Sequence, residues 1–172
     1  MRDSNLKLFF LKSLPVFLIC TTLALTGCES DKHGLTESRV FTFDVPDLKS
    51  NPVTPPKNDK DPEAWAQLAF EYQSKQMWPQ CIYCYTKSCE LDPTKKGYWN
   101  SLGTAYQFSD KMENARNAFL RSHELDVYEI GNMESIGFAD TSMGLHDAEA
   151  LRFYLMALSI DPTHKGAWDN LV

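Results

Sequence analysis

The strongest constraint on this chain is a recurrence. Trp65, Leu68, Ala69, Tyr72, Cys81 and Tyr85 each lie 34 residues before Trp99, Leu102, Gly103, Tyr106, Ala115 and Phe119. Large residues return on large ones and small residues on small ones, so one packing unit is used more than once. The same step takes Leu102 to Ile136 and Gly103 to Gly137, then lengthens to 35, taking Ala115 to Ala150 and Phe119 to Tyr154. One extra residue is therefore expected in the turn from Gly144 to Asp147. Met133 stands where Trp is expected, Asp140 where Tyr is, and Val127 where the first repeat has Pro93. A fourth copy begins at Lys165 and runs through Trp168 and Leu171 to Val172.

In the second copy the anchors read Trp99-x-x-Leu102-Gly103-x-x-Tyr106, then Ala115-x-x-x-Phe119. This spacing resembles the tetratricopeptide repeat, a helix–turn–helix unit. The resemblance covers residues 61–172 and implies an all-α fold. The implied architecture is a short right-handed solenoid of helical hairpins, about three repeats (61–94, 95–128, 129–163) plus a partial fourth (164–172). Large side chains such as Trp65 and Tyr85 then fill the space between helices, while Ala69, Gly103, Gly137, Ala115 and Ala150 let helices approach. Asp61-Pro62-Glu63 opens the array well, because Asp caps free amides, Pro suits the first helical position and Glu suits the positive helix end. The short fourth copy is too brief to be helical alone. It is expected to persist by packing Trp168 and Leu171 on the third repeat. A repeat array normally ends on a polar cap, so a truncated frame, an exposed docking edge and self-association all stay open.

In the resembled family the first helix of each repeat lines a concave groove that holds an extended peptide or a partner helix. Carried onto this sequence, the groove takes Glu63, Gln67, Phe70 and Gln73 from the first repeat. Asn100, Ser101, Thr104, Gln107 and Phe108 come from the second, and Glu134, Ser135, Phe138 and Thr141 from the third. None of these positions is Lys or Arg, so the carboxylate clamp of one well-known subfamily is not expected. Amides, hydroxyls and aromatics suit main-chain hydrogen bonding with apolar anchors.

The amino terminus has a basic start (Arg2, Lys7, Lys12), an apolar run from Leu14 to Leu25, and then Leu25-Thr26-Gly27-Cys28. The run is 12 residues, too short to span a bilayer and suited to a signal peptide. Leu25 to Cys28 resembles the bacterial lipobox. That implies a signal peptide over 1–27, a lipid on Cys28 as the sole covalent group, and no other cofactor. Two or more acyl chains anchor stably where one is marginal. Glu29, by the same resemblance, points to the outer membrane facing the periplasm. Residues 28–60 carry Pro46, Pro52, Pro55 and Pro56 without helical periodicity, and read as a flexible tether. Within it Phe41, Phe43 and Val45 alternate on one side of an extended stretch, which is expected to dock loosely on the array or on a partner.

The formal charge is -6, and removal of the leader leaves 14 basic against 22 acidic residues, or -8. A basic patch is missing, which argues against nucleic acid as a partner. Cys81 and Cys84 form a C-x-x-C that a disulfide or redox pair would also use, with Cys89 one turn on. Yet Cys81 occupies the small-residue position of the repeat, which favours buried packing thiols. His33, His123, His146 and His164 lack metal-ligand spacing, and no phosphate loop, nucleophile elbow or metalloprotease motif occurs. The chain is thus expected to be a non-enzymatic, membrane-anchored scaffold or assembly factor that binds a protein or peptide in the bacterial envelope. Similar architectures occur in the pilotins of type IV pili, which assist secretin assembly, and in adaptors of cell-wall enzymes. A thiol redox protein is the reading from the opposing class.

Overall fold

The computed structural model describes residues 41–144 and 147–171. Among them are seven α-helices and no strand: α1 (Pro62–Ser74), α2 (Trp78–Leu91), α3 (Lys96–Phe108), α4 (Met112–Leu125), α5 (Ile130–Met143), α6 (Asp147–Ile160) and α7 (Lys165–Asp169). They form three successive hairpins, α1 with α2, α3 with α4 and α5 with α6, and α7 lies against α6. The fold is all-α, a helical-hairpin solenoid.

Local chemistry explains why the helices stop and start where they do. Asp61 caps α1, its carboxylate accepting the amide N–H of Glu63 at 3.0 Å, with Pro62 at the first helical position. Between repeats an aspartate does similar work three times. Asp92, Asp126 and Asp161 accept the N–H two residues on, from Thr94 at 3.1 Å, Tyr128 at 3.1 Å and Thr163 at 2.9 Å. These bonds fold an Asx turn and explain why Val127 can replace proline in the second turn. Each tryptophan at the repeat's first anchor position adds a pin, its indole N–H donating to the carbonyl six residues earlier: Trp65 to Asp59 at 2.8 Å, Trp99 to Pro93 and Trp168 to Pro162 at 2.9 Å. Inside the hairpins the chain reverses through a left-handed residue, Gln76 (φ 56°), Asp110 (φ 58°) and Gly144 (φ 62°). These three keep the 34-residue step, whereas α2, α4 and α6 start at 78, 112 and 147. The extra residue of the third repeat is thereby confined between Gly144 and Asp147.

The core follows the anchors. A Cβ on Gly103 would lie 2.7 Å from the Phe119 ring, and one on Gly137 would lie 2.6 Å from Tyr154. Each glycine is a seat for the aromatic ring of the second helix in its own repeat. In the first repeat the seat is Ala69, and Tyr85 instead donates its hydroxyl to Gln73 at 3.3 Å.

Asp140, standing at the tyrosine position, is fully buried and bound by the guanidinium of Arg116 on α4, which also reaches Glu149 on α6. Arg116 falls 34 residues after the buried Ile82, and Asp140 falls 34 after Tyr106. The junction between the second and third repeats has therefore exchanged an aliphatic–aromatic pair for an ion pair.

Two expectations need correction. Trp168 is tied to the third repeat by its indole N–H on the Pro162 carbonyl but is not buried there: it is 52% exposed, against 5% for Trp65 and 9% for Trp99. Trp65 is met edge-on by Tyr83 of α2 at 6.1 Å, and Trp99 is covered by Phe43 at 5.5 Å. No such ring meets Trp168 among the described residues. The fourth copy holds on through the fully buried Ala167, the partly buried Leu171 and the approach of Gly166 to the Glu134 carboxylate.

The second correction concerns the tether. The folded unit begins at Phe41, and Phe41, Phe43 and Val53 pack against the helical core. Val45, expected beside the two phenylalanines, is exposed instead. The alternation ends at Asp44 because both its backbone N–H and its C=O are taken by side chains of the array.

Candidate functional site

The first helices α1, α3 and α5 present one register of side chains at the 34-residue step. Gln67, Ser101 and Ser135 form one rung, Phe70, Thr104 and Phe138 the next, and Gln73, Gln107 and Thr141 a third. Between α1 and α3 this face opens into a groove of about 570 Å³ lined by Glu63, Gln67, Phe70 and Ser101, joined by Tyr85, Lys95 and Tyr98. Phe70 is 64% and Phe138 37% exposed, so both offer apolar surface to solvent and are not core residues between repeats.

The polar groups of the groove are largely committed to one another. Glu63 accepts from Lys95 Nζ at 2.8 Å and from the Tyr98 hydroxyl at 2.9 Å. Those hydrogen bonds, Lys95 first and then Tyr98, hold the Glu63 carboxyl below the usual carboxylate range. The Lys95 ammonium also sits 4.7 Å from the centre of the Tyr98 ring. It is raised above the ordinary lysine value by the same partners. Lys95 and Tyr98 were not foreseen from the sequence. Lys95 lies in the turn before α3, outside the helical register that selected the other positions.

The remaining expected groove residues divide by what they touch. The Asn100 amide donates to Asn132 at 3.0 Å, Asn132 to Ser122 at 2.9 Å, and Ser122 to the Lys96 carbonyl at 3.1 Å. Asn100 is thus the outer end of a hydrogen-bond chain that stitches the second repeat to the third. Thr104 and Ser135 bond the carbonyl one turn earlier in their own helices, and Thr141 does the same while meeting the Tyr154 hydroxyl at 3.4 Å. Glu134 faces His164 at 3.0 Å and belongs to the contact with α7. Phe108 lies at the end of α3, where its ring stacks on Trp78 of α2 with centroids 5.0 Å apart. That contact places it at the rim of the array.

Cys81, Cys84 and Cys89 are free and buried. Burial pushes the thiols of Cys81 and Cys84 up to about 12, the nearby Cys84 adding to the effect on Cys81, and it raises Cys89 further. Thiols so protonated and enclosed lack the thiolate that redox exchange needs. His123 is buried with its ring edge-on to Phe153 at 5.8 Å. Among the described residues no cluster of His, Cys, Asp or Glu could hold a metal ion, and no helix is long and apolar enough to cross a membrane. Cys28, the expected lipid site, lies outside the described residues, as do His33 and His146.

No family model and no curated protein matches the sequence. Solved structures do match. The TPR domain of Arabidopsis OM64 superposes with a TM-score of 0.60 at 18% identity, covering 66% of this chain and 93% of that one. MamA gives 0.61 at 25% identity over 72% of this chain and 68% of that one. The first TPR of Spaghetti (RPAP3), bound to the HSP90 peptide SRMEEVD, gives 0.60 at 19% identity over 66% and 90%. The fold is that of a tetratricopeptide array.

Proposed function

We propose that this protein is a non-enzymatic scaffold that binds an extended segment of a protein partner along the face of α1, α3 and α5. The observation that carries this reading is the open groove with Phe70 exposed beside Gln67 and Ser101. An exposed aromatic flanked by amides and hydroxyls supplies an apolar anchor together with partners for a peptide main chain. Similar solved folds are bound to peptides, the RPAP3 domains to HSP90 and HSP70 peptides and a Yersinia secretion chaperone to a translocator peptide, which supports binding as the use of this surface.

The electrostatics narrow the partner. Lys95, the cation lining the groove, is already bonded to Glu63 and Tyr98, so a peptide carboxylate would have to displace an existing ion pair. The favoured ligand is a neutral or basic segment with an aromatic or aliphatic side chain for Phe70. In this reading Cys28 carries a lipid and the array works at the bacterial envelope membrane, on the periplasmic side of the outer membrane.

The test is site-specific photo-crosslinking from position 67 in cells, followed by mass spectrometry. One partner should dominate, and it should be lost from a Phe70→Arg, Phe138→Arg chain that keeps the wild-type helical circular dichroism. Recovery of the same partner from that folded variant would refute groove binding. A Cys28→Ser chain that stays in the membrane fraction would refute the lipid anchor independently.

A further inference from the structure

A second surface of the array already shows the chemistry it binds. Trp99 and Ser101 are separated by about 200° around α3, so the residues beside Trp99 face away from the groove just described. On that side residues 41–44 lie extended across α3 and α4. The Phe43 ring sits 5.5 Å from Trp99 and is stacked at 6.2 Å on Tyr106. Phe41 lies under the guanidinium of Arg121 at 5.5 Å, and the same guanidinium covers Trp99 at 5.6 Å.

Asp44 is held by every polar group it has. Its N–H donates to the Asn114 side-chain oxygen at 3.1 Å, its carbonyl accepts from the Tyr106 hydroxyl at 3.2 Å, and its carboxylate pairs with Lys111. Asn114 and Tyr106 read main chain, Lys111 reads charge, and Trp99, Tyr106 and Arg121 read two rings. That division of labour is the one by which peptide-binding domains recognise a short extended motif. Regular tetratricopeptide packing inside the array does not need it: among the described residues no such segment lies against α5 or α6.

We infer that this outer face is a second peptide-binding site, occupied in the present structure by the chain's own Phe41-Thr42-Phe43-Asp44, and that it takes a partner segment of the pattern aromatic-x-aromatic-aspartate. The cis segment holds the site at the high effective concentration of a short linker, so a partner binds when that segment is released or out-competed. This inference is independent of the groove between α1 and α3, because the two surfaces share no recognition residue.

The experiment uses the full chain with Phe41, Phe43 and Asp44 replaced by alanine, and a fluorescent peptide Phe-Thr-Phe-Asp-Val-Pro followed by polarisation. The vacated chain should bind the peptide, and the wild type should bind it about a hundredfold more weakly because its site is filled. Adding Lys111→Ala and Asn114→Ala to the vacated chain should weaken binding at least tenfold, and a peptide with Lys for Asp should fail. A vacated chain of wild-type helicity that does not bind, or whose binding ignores Lys111 and Asn114, overturns the inference. Should the triple variant lose helicity, Asp44→Ala alone serves: it must bind the peptide more tightly than wild type, and no gain overturns the inference equally.

Discussion

The ion pair between Arg116 and Asp140 offers the sharpest test of how the array is held together. The Asp140 side chain is fully buried and that of Arg116 is 14% exposed, so each compensates a charge removed from water. Breaking such a pair by deleting one partner costs about 3–5 kcal/mol, because the other charge stays behind in a poor solvent. Replacing both with well-packed apolar groups is commonly neutral or stabilising by about 1–4 kcal/mol. The preceding junction supplies the apolar design, since Ile82 and Tyr106 occupy the corresponding positions. Arg116→Ile is close to volume-neutral and Asp140→Tyr adds a ring, so the double variant recovers only where the space left by the guanidinium and the shift of Glu149 accept that ring. Glu149, the third member, is 44% exposed and can return to water. In urea, at a slope of about 2 kcal/mol per M, Arg116→Ile alone should lower the midpoint by about 2 M. Asp140→Tyr alone should be similarly costly, and the double variant should recover to within about 1 kcal/mol of wild type. Hydrogen exchange should place the loss in the single variants on α5 and α6, because nearest-neighbour coupling lets one end of a solenoid open first. The reasoning is refuted if Arg116→Ile costs less than about 1 kcal/mol, or if the double variant is no more stable than its worse parent.

Two further predictions concern the small residues and the thiols. Gly97 and Gly103 share α3, yet a Cβ on Gly97 meets nothing within 4 Å while one on Gly103 strikes the buried Phe119 ring. In thermal melts Gly97→Ala should therefore gain up to about 1 kcal/mol, and Gly103→Ala should lose about 1 kcal/mol net as overpacking outweighs propensity; equal effects would deny the seat. Cys81, Cys84 and Cys89 should resist iodoacetamide at pH 8 in the native chain and label fully once it is denatured. Because burial pushes the thiols of Cys81 and Cys84 from an ordinary value of 9.0 up to about 12, their contribution is intact below about pH 9 and is lost as pH rises through about 12. Native-state alkylation at pH 8, or stability that does not fall across that window, would contradict their burial.

How far the fold could be read beforehand depended on whether a feature repeats. Helical hairpins, the glycine seats and the position of the extra residue all rest on anchors that recur at a fixed step, and such anchors are visible in one chain. Gln67, Phe70 and Ser101 were reachable for the same reason: they follow one helical face. Lys95 and Tyr98 were not, since the Glu63 network crosses from one repeat to the turn before the next. Docking of Phe41 and Phe43 was legible from their alternation, whereas the polar fastening of Asp44 and the exposure of Val45 were not. The segment's prolines and missing periodicity resemble a linker, and what orders it is a set of long-range partners, Trp99, Tyr106, Lys111 and Asn114, that only the folded array brings together. Arg116 gave a signal that could have been read: a charged residue at the buried position of Ile82, one step before an aspartate at the position of Tyr106, is a complementary pair of departures.

The docked segment also gives the chain a mechanical direction. It is fastened to the second repeat by Asp44 and the two rings, and to the first by the Gln80 amide on the Asn51 carbonyl at 3.4 Å and the Trp65 indole on the Asp59 carbonyl at 2.8 Å. Tension applied from the amino-terminal side loads these few attachments in turn, as a peeled strip, before it reaches any helix. Residues 41–60 would then extend to at most about 70 Å with the hairpins intact. Such a release acts as a fuse: it lengthens the molecule at low force, spares the concave groove, and uncovers Trp99 and Tyr106 only while the pull lasts.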